Sequence, residues 1–132
     1  MKILVIEDNV EIFEALSVFC GARKDIECEA VNTGQEGLDM IRAQNFDLIL
    51  LDLAMPEFSG MDVLLSLKLD GLIKSRNIVI FTASSNQDIL HELRDIGVKE
   101  IFKKPFSLDQ LTALIDKYRP GGRHYGIGRA KS

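Results

Sequence analysis

Cysteine is scarce in this chain, with only Cys20 and Cys28 among 132 residues. The two do not form a CxxC pair, and no group of Cys and His has zinc-site spacing. With no secretory signal to suggest an oxidising compartment, both are expected to be small buried hydrophobes. Long apolar runs are also missing. None approaches the ~18–20 residues that a membrane helix needs. The apolar start Ile3-Leu4-Val5-Ile6 runs into Glu7 and Asp8, too short for a signal peptide and without a cleavage site, so a cytoplasmic location is expected. A basic face is absent as well. Residues 1–118 carry 12 Lys/Arg against 20 Asp/Glu, which offers no nucleic-acid footprint. No internal repeat is found.

What is present is an ordinary globular composition. Hydrophobic residues make up 46%, enough for a real core. The length fits one domain and leaves no room for a second catalytic or output domain within these residues. Apolar β-branched runs alternate with helical stripes. Lys2–Ile6 reads as a strand. Val10–Gly21 places Ile12, Ala15, Leu16 and Phe19 on one helical face. Glu27–Val31 is a second strand. Thr33-Gly34-Gln35-Glu36 reads as a capping box opening a helix to about Gln44. Residues 47–51 and 77–81 are near-continuous apolar runs, as expected of strands covered on both faces. Helices are expected around Gly60–Leu69, from Ser85 to the stop at Gly97, and from the second capping box, Ser107-Leu108-Asp109-Gln110. A short strand, residues 99–103, precedes that last helix. Arg119-Pro120-Gly121-Gly122 is a stop signal, so the chain divides into a domain over 1–118 and a basic Gly-rich tail over 119–132, expected to be flexible.

Five strands alternating with five helices imply an α/β fold, a doubly wound parallel sheet. Ligands in such sheets sit at the carboxyl ends of the strands. Those ends carry Glu7-Asp8, Asp52, Thr82 and Lys103-Lys104-Pro105. Carboxylates brought close together favour a counter-charge. A hard divalent cation supplies one and takes oxygen ligands. With a hydroxyl and an ammonium beside it, the set suits a phosphoryl group, with an Asp as nucleophile. Each piece alone has a plainer reading. Asp8-x-x-Glu11 could cap the first helix, Asp52 could be a turn residue before Pro56, and Thr82 could be an ordinary strand-end Thr. The argument is their recurrence at successive strand ends.

These residues carry a family resemblance. Ile6-Glu7-Asp8, the run Leu51-Asp52-Leu53-Ala54-Met55-Pro56-Glu57-Phe58-Ser59-Gly60, Phe81-Thr82-Ala83 and Lys103-Lys104-Pro105-Phe106 resemble a response-regulator receiver domain of the CheY-like kind, over about residues 2–118. The resemblance implies a flavodoxin-like five-stranded sheet in the order 2-1-3-4-5, a (βα)5 fold. It implies that Asp52 accepts a phosphoryl group from a sensor histidine kinase or histidine phosphotransfer protein. It implies Mg2+ as cofactor, bound by Asp8, Asp52 and the Ala54 carbonyl, with Glu7 acting mainly through water. Thr82 would hydrogen-bond the phosphoryl oxygen, Lys104 would pair with Asp52, and the Lys104–Pro105 bond would be cis. The protein would then be no enzyme beyond its own phosphotransfer and dephosphorylation. Its partners would include a downstream protein target, and a second copy of itself meeting it through the fourth and fifth helices. Neither nucleic acid nor membrane is expected as a partner of this domain.

The chain departs from the family pattern in two places. The switch position, often Tyr or Phe, is Ile101, and the adjacent Phe102 would point to the other side of its strand. The positions two beyond Asp52 and Thr82, which tune phosphoryl lifetime in the family, are Ala54 and Ser84. A dehalogenase-type phosphatase would need an acid where Ala54 stands. An FMN carrier would need a Ser/Thr/Gly phosphate loop where Glu7-Asp8-Asn9 stands. The remaining alternative is a receiver-like interaction module that works without phosphorylation. In the first helix, Val10 and Phe13 are expected off the core stripe, near the strand-end rim.

Overall fold

The computed structural model describes residues 1–121. Its elements follow in the order β1 (Lys2–Ile6), α1 (Val10–Gly21), β2 (Glu27–Val31), α2 (Gly34–Ala43), β3 (Leu48–Asp52), α3 (Gly60–Leu69), β4 (Ile78–Thr82), α4 (Gln87–Ile96), β5 (Glu100–Lys103) and α5 (Leu108–Lys117). The five strands form one parallel sheet in the order β2-β1-β3-β4-β5. This is the expected doubly wound arrangement.

Side chains alternate across a strand, and here the alternation divides one apolar sequence into two cores. Leu4, Ile6, Ile49, Leu51, Ile78 and Ile80 pack with α2, α3 and α4. Ile3, Val5, Leu48, Leu50, Val79 and Phe81 pack with Leu16 of α1 and Leu111, Leu114 and Ile115 of α5. All twelve strand residues are at most 1% exposed. Burying a side chain of this size contributes about 1.5–3 kcal/mol. The three central strands are thereby fixed in register, because a one-residue slip would exchange the two cores.

Several local details differ from the sequence reading. Thr33 caps α2, accepting the Glu36 N–H at 3.2 Å, but Glu36 accepts the Thr33 hydroxyl instead of reaching the cap's backbone. The box is therefore half formed. The fourth helix starts at Gln87 and not at Ser85, because Asn86 Oδ1 accepts from the N–H groups of both Asp88 and Ile89. In α1, Leu16 and Cys20 are the residues turned fully inward, whereas Ala15 is exposed. Phe13 lines a recess with Cys20 and Cys28, away from the strand-end rim. Cys28 is only half-buried, since β2 is an edge strand. The second capping box, at Ser107 and Gln110, is complete, and Gly97 ends α4 at φ 108°. Of the expected tail, residues 122–132 lie outside the described residues. Arg119 itself pairs with Asp25 at 2.8 Å and with Asp116 at 2.9 Å. Among the described residues no helix is long and apolar enough to cross a membrane.

Candidate functional site

The sheet's hydrogen-bond ladder continues past the strand ends and sets the height of the loops above it. Glu7 N–H donates to the Val31 carbonyl, Leu53 N–H to Phe81, and Lys104 N–H to Thr82, at 2.9–3.1 Å. Glu7, Asp8, Asp52, Ala54, Thr82 and Lys104 consequently surround one cavity of about 330 Å3. One carboxylate oxygen from each of Glu7, Asp8 and Asp52 lies within 4.8 Å of the other two. Asn9, and not Asp8, caps α1, accepting the Ile12 N–H at 3.1 Å. The Asp8 carboxylate is thus left to the cluster.

Lys104 bridges the buried acids. Its Nζ lies 3.0 Å from Asp52 Oδ1 and 3.0 Å from Glu7 Oε1. Burial raises the pKa of Asp52, the neighbouring Glu7 adds to this, and Lys104 opposes it. Asp8 is likewise raised, by desolvation and by Asp52. Burial works against the charged form of Lys104, but the carboxylates of Asp52 and Glu7 outweigh it and raise its pKa. One cation does not satisfy this cluster. Glu7 Oε1 is close to the ammonium but has no aligned hydrogen bond, and its side chain is fully buried. A hard divalent cation among three carboxylates fits that donor set.

Thr82, 5% exposed, stands at the rim with its Oγ1 accepting the Ser84 N–H at 3.0 Å. Ser84 Oγ accepts the Asn86 N–H in turn, and Asn86 caps α4. Lys103 fastens the same loop from β5, donating to the Ser84 carbonyl at 2.5 Å and to Ser85 Oγ at 3.1 Å. Ile101 is half-buried against the α2–α4 side of the sheet, and Phe102 packs on the other side with Phe81 and Phe106. The Lys104–Pro105 bond is cis.

The chain matches the response regulator receiver domain family model over residues 3–116. The chain belongs to that family. As a receiver it is a phosphoacceptor module of two-component signalling, a class that takes phosphate from histidine kinases or phosphotransfer proteins. It is 29% identical over 119 residues to Sporulation initiation phosphotransferase F of Bacillus subtilis, covering 90% of this chain and 94% of that one. It is 35% identical over 116 residues to the transcriptional regulatory protein DltR of Streptococcus agalactiae, covering 87% of this chain and 50% of DltR. The receiver thus spans about half the length of such regulators. Among solved structures, the Francisella response regulator 1452 receiver domain superposes with TM-score 0.78 at 25% identity, covering 89% and 94% of the two chains. Thermotoga maritima response regulator TrrA, in complex with Mg2+ and BeF, gives TM-score 0.74 at 28% identity, covering 89% and 98%.

Gly60, Ser84 and Lys103 were named from the sequence, but not for the structural roles they have here. A Cβ on Gly60 would lie 2.3 Å from the Asp52 carbonyl oxygen, so the glycine lets α3 approach the strand end carrying Asp52. The run ending Ser59-Gly60 held that signal as a glycine one residue after a helix cap. Ser84 and Lys103 gave none, because the loop atoms they hold, the Asn86 amide, the Ser84 carbonyl and Ser85 Oγ, stand at no spacing that announces the contact.

Proposed function

We propose that this receiver takes its phosphoryl group on Asp52, and that the bridging of Asp52 and Glu7 by Lys104 is the observation that carries the assignment. Asp52 touches Lys104 and shares the acid cluster with Glu7 and Asp8, which follow β1. Asp8, Asp52 and the Ala54 carbonyl would hold Mg2+, with Glu7 acting mainly through water. The cation supplies charge neutralisation for a phosphoryl group arriving among carboxylates. Asp52 offers the nucleophilic oxygen. Lys104, already at hydrogen-bond distance, keeps a positive charge beside the new phosphoryl group. Thr82 releases the Ser84 N–H to donate its hydroxyl to a phosphoryl oxygen, a charge-assisted bond. Neither Ala54 nor Ser84 is an acid or amide able to position an attacking water readily.

The donor is a histidine kinase or histidine phosphotransfer protein. The output is altered binding of a protein target, and the assembly is a homodimer through α4 and α5. The domain is residues 1–118, it works in the cytoplasm, and it performs no catalysis beyond its own phosphotransfer and dephosphorylation. Ile101 offers no hydroxyl in either state and is stiff at χ1, so the switch runs through residues 83–90.

The test is incubation with Mg2+ and acetyl phosphate, followed by borohydride trapping and mass spectrometry. A single label at Asp52 is expected, lost in Asp52→Asn and dependent on Mg2+. A label retained at full stoichiometry in Asp52→Asn would overturn the assignment. Asp8→Ala is expected to lose Mg2+ binding more completely than Glu7→Ala.

A further inference from the structure

The phosphoacceptor site leaves unused a pair of nucleophilic side chains on the far half of α1. Cys20 belongs to the last turn of α1 and Cys28 to the edge strand β2, and both are free. They line one recess of about 340 Å3, together with Phe13, Ser17 and Arg23. Cys20 is 3% exposed, whereas Cys28 is half-buried. Cysteines that only fill a core have no need of each other or of an opening. This pair has both, and a guanidinium besides.

We infer that Cys20 and Cys28 form a dithiol modification site that closes to an intramolecular disulfide on reaction with a small hydroperoxide. The recess gives such an oxidant access to Cys20, which has little open surface of its own. The neighbouring Cys28 lowers the pKa of the Cys20 thiol, burial works against this, and Arg23 lowers it further. Cys28 is correspondingly pushed far up, by Cys20 and by burial. Cys20 shares the recess with the Arg23 guanidinium three residues on, and a nearby cation favours the thiolate, so Cys20 is the attacking sulfur. Arg23 is shared with Asp25, whose carboxylate it grips at 2.9 and 3.0 Å, so its help to Cys20 is partial.

The chemistry closes. Cys20 thiolate attacks one peroxide oxygen, the O–O bond breaks, and hydroxide leaves with a proton as water. This gives a sulfenic acid. Cys28 sulfur then attacks Cys20 sulfur, the S–O bond breaks, and a second water leaves with the Cys28 proton. Two thiols are oxidised, one hydrogen peroxide is reduced to two waters, and one S–S bond forms. The product fastens the last turn of α1 to β2, at the end of the helix opposite Asp8.

The test uses the full chain, first reduced and then given a few equivalents of hydrogen peroxide. Remaining thiols are alkylated under denaturing conditions, and tryptic peptides are read by mass spectrometry. Arg23 and Lys24 lie between the two cysteines, so trypsin separates them and only a disulfide joins the resulting peptides. Expected is the joint loss of both thiols in the monomer, one linked peptide pair, and reversal by dithiothreitol. Cys28→Ser should stop at a dimedone-reactive sulfenic acid on Cys20. Cys20→Ser should leave Cys28 at least ten-fold slower to react than Cys20 in the wild type. Both thiols remaining alkylatable, or links forming only between chains, would overturn the proposal. So would equal oxidation rates in the two variants. If Cys20→Ser does not fold, by circular dichroism, Cys20→Ala replaces it. The linked peptide from the wild type decides the matter in any case.

Discussion

Asp52→Asn should stabilise this receiver when no divalent cation is present. In the folded chain the Asp52 carboxylate sits within 4.8 Å of two other carboxylate oxygens and 3.0 Å from one ammonium. At an effective dielectric of about 20, each like-charge pair at that separation costs about 3.5 kcal/mol, and the Lys104 pair returns about 5.5 kcal/mol. The balance is unfavourable by about 1.5 kcal/mol before desolvation is added, and Asp52 is only 3% exposed. An amide keeps the shape and removes both repulsions together with the attraction. A gain of about 1–2 kcal/mol is expected, a rise of several degrees in Tm for a domain of this size. The pH dependence follows from the raised pKa of Asp52, caused first by burial and then by Glu7. A carboxyl group whose folded pKa lies above its unfolded value destabilises the fold as it ionises. The advantage of Asp52→Asn should therefore be small well below about pH 4, the unfolded carboxylate range. It should grow as pH rises through the elevated folded pKa and then level off. Urea melts of both proteins in EDTA, from pH 3.5 to 8, measure this. Saturating Mg2+ should narrow the gap by stabilising the wild type more. A less stable Asp52→Asn in EDTA, or a difference flat in pH, would refute the reasoning.

Other perturbations follow from packing and capping. Gly37→Ala places a Cβ 2.4 Å from a methyl carbon of the fully buried Ile6, so urea melts should show a loss of about 1–3 kcal/mol. Gly60→Ala puts its Cβ against the Asp52 carbonyl, and should lower both stability and the rate of labelling by acetyl phosphate. Glu57 holds φ at 62° without being glycine, so Glu57→Asn should gain up to about 1 kcal/mol in a thermal melt. Asn86→Ala removes the acceptor for two N–H groups at the start of α4, and should cost about 1 kcal/mol and fray that helix in amide NMR.

The central strands were readable because β3 and β4 are apolar on both faces, as strands of a covered parallel sheet are, and alternate with helical stripes. The strand-end acids, Thr82 and Lys104 were readable because topology alone brings strand ends to one rim. The start of α4 was not, since Ser85 and Asn86 are both acceptable caps and only tertiary placement chooses between them. The cap of α1 was read as a possible role of Asp8, from the Asp8-x-x-Glu11 spacing. Asn9 takes the role because Asp8 faces the acid cluster. Cys28 was misjudged as buried although the expected order 2-1-3-4-5 already set β2 at the sheet edge, where one side of the strand has no neighbour to cover it. The contact between Lys103 and the Ser84 carbonyl involves no side-chain pattern on the loop's side, so nothing in the sequence announces it.

That contact bears on how the loop before α4 breathes. The Ser84 amide is held by Thr82 Oγ1 and its carbonyl by Lys103, while the Asn86 amide is held by Ser84 Oγ. The loop thus has no backbone-to-backbone hydrogen bond to the sheet and depends on three side chains for its protection. Amide exchange should follow the same dependence. Turning the Thr82 hydroxyl away exposes the Ser84 amide at once, while Lys103 still tethers the peptide's other side and limits how far the opening spreads. Faster deuterium uptake confined to Ser84 would mark Thr82 moving under an intact tether. Uptake running on through Asn86 into the first turn of α4 would mark the tether letting go. One chain of bonds therefore divides the loop's motion into a fast local flicker and a slower concerted release, two lifetimes that deuterium exchange can time separately.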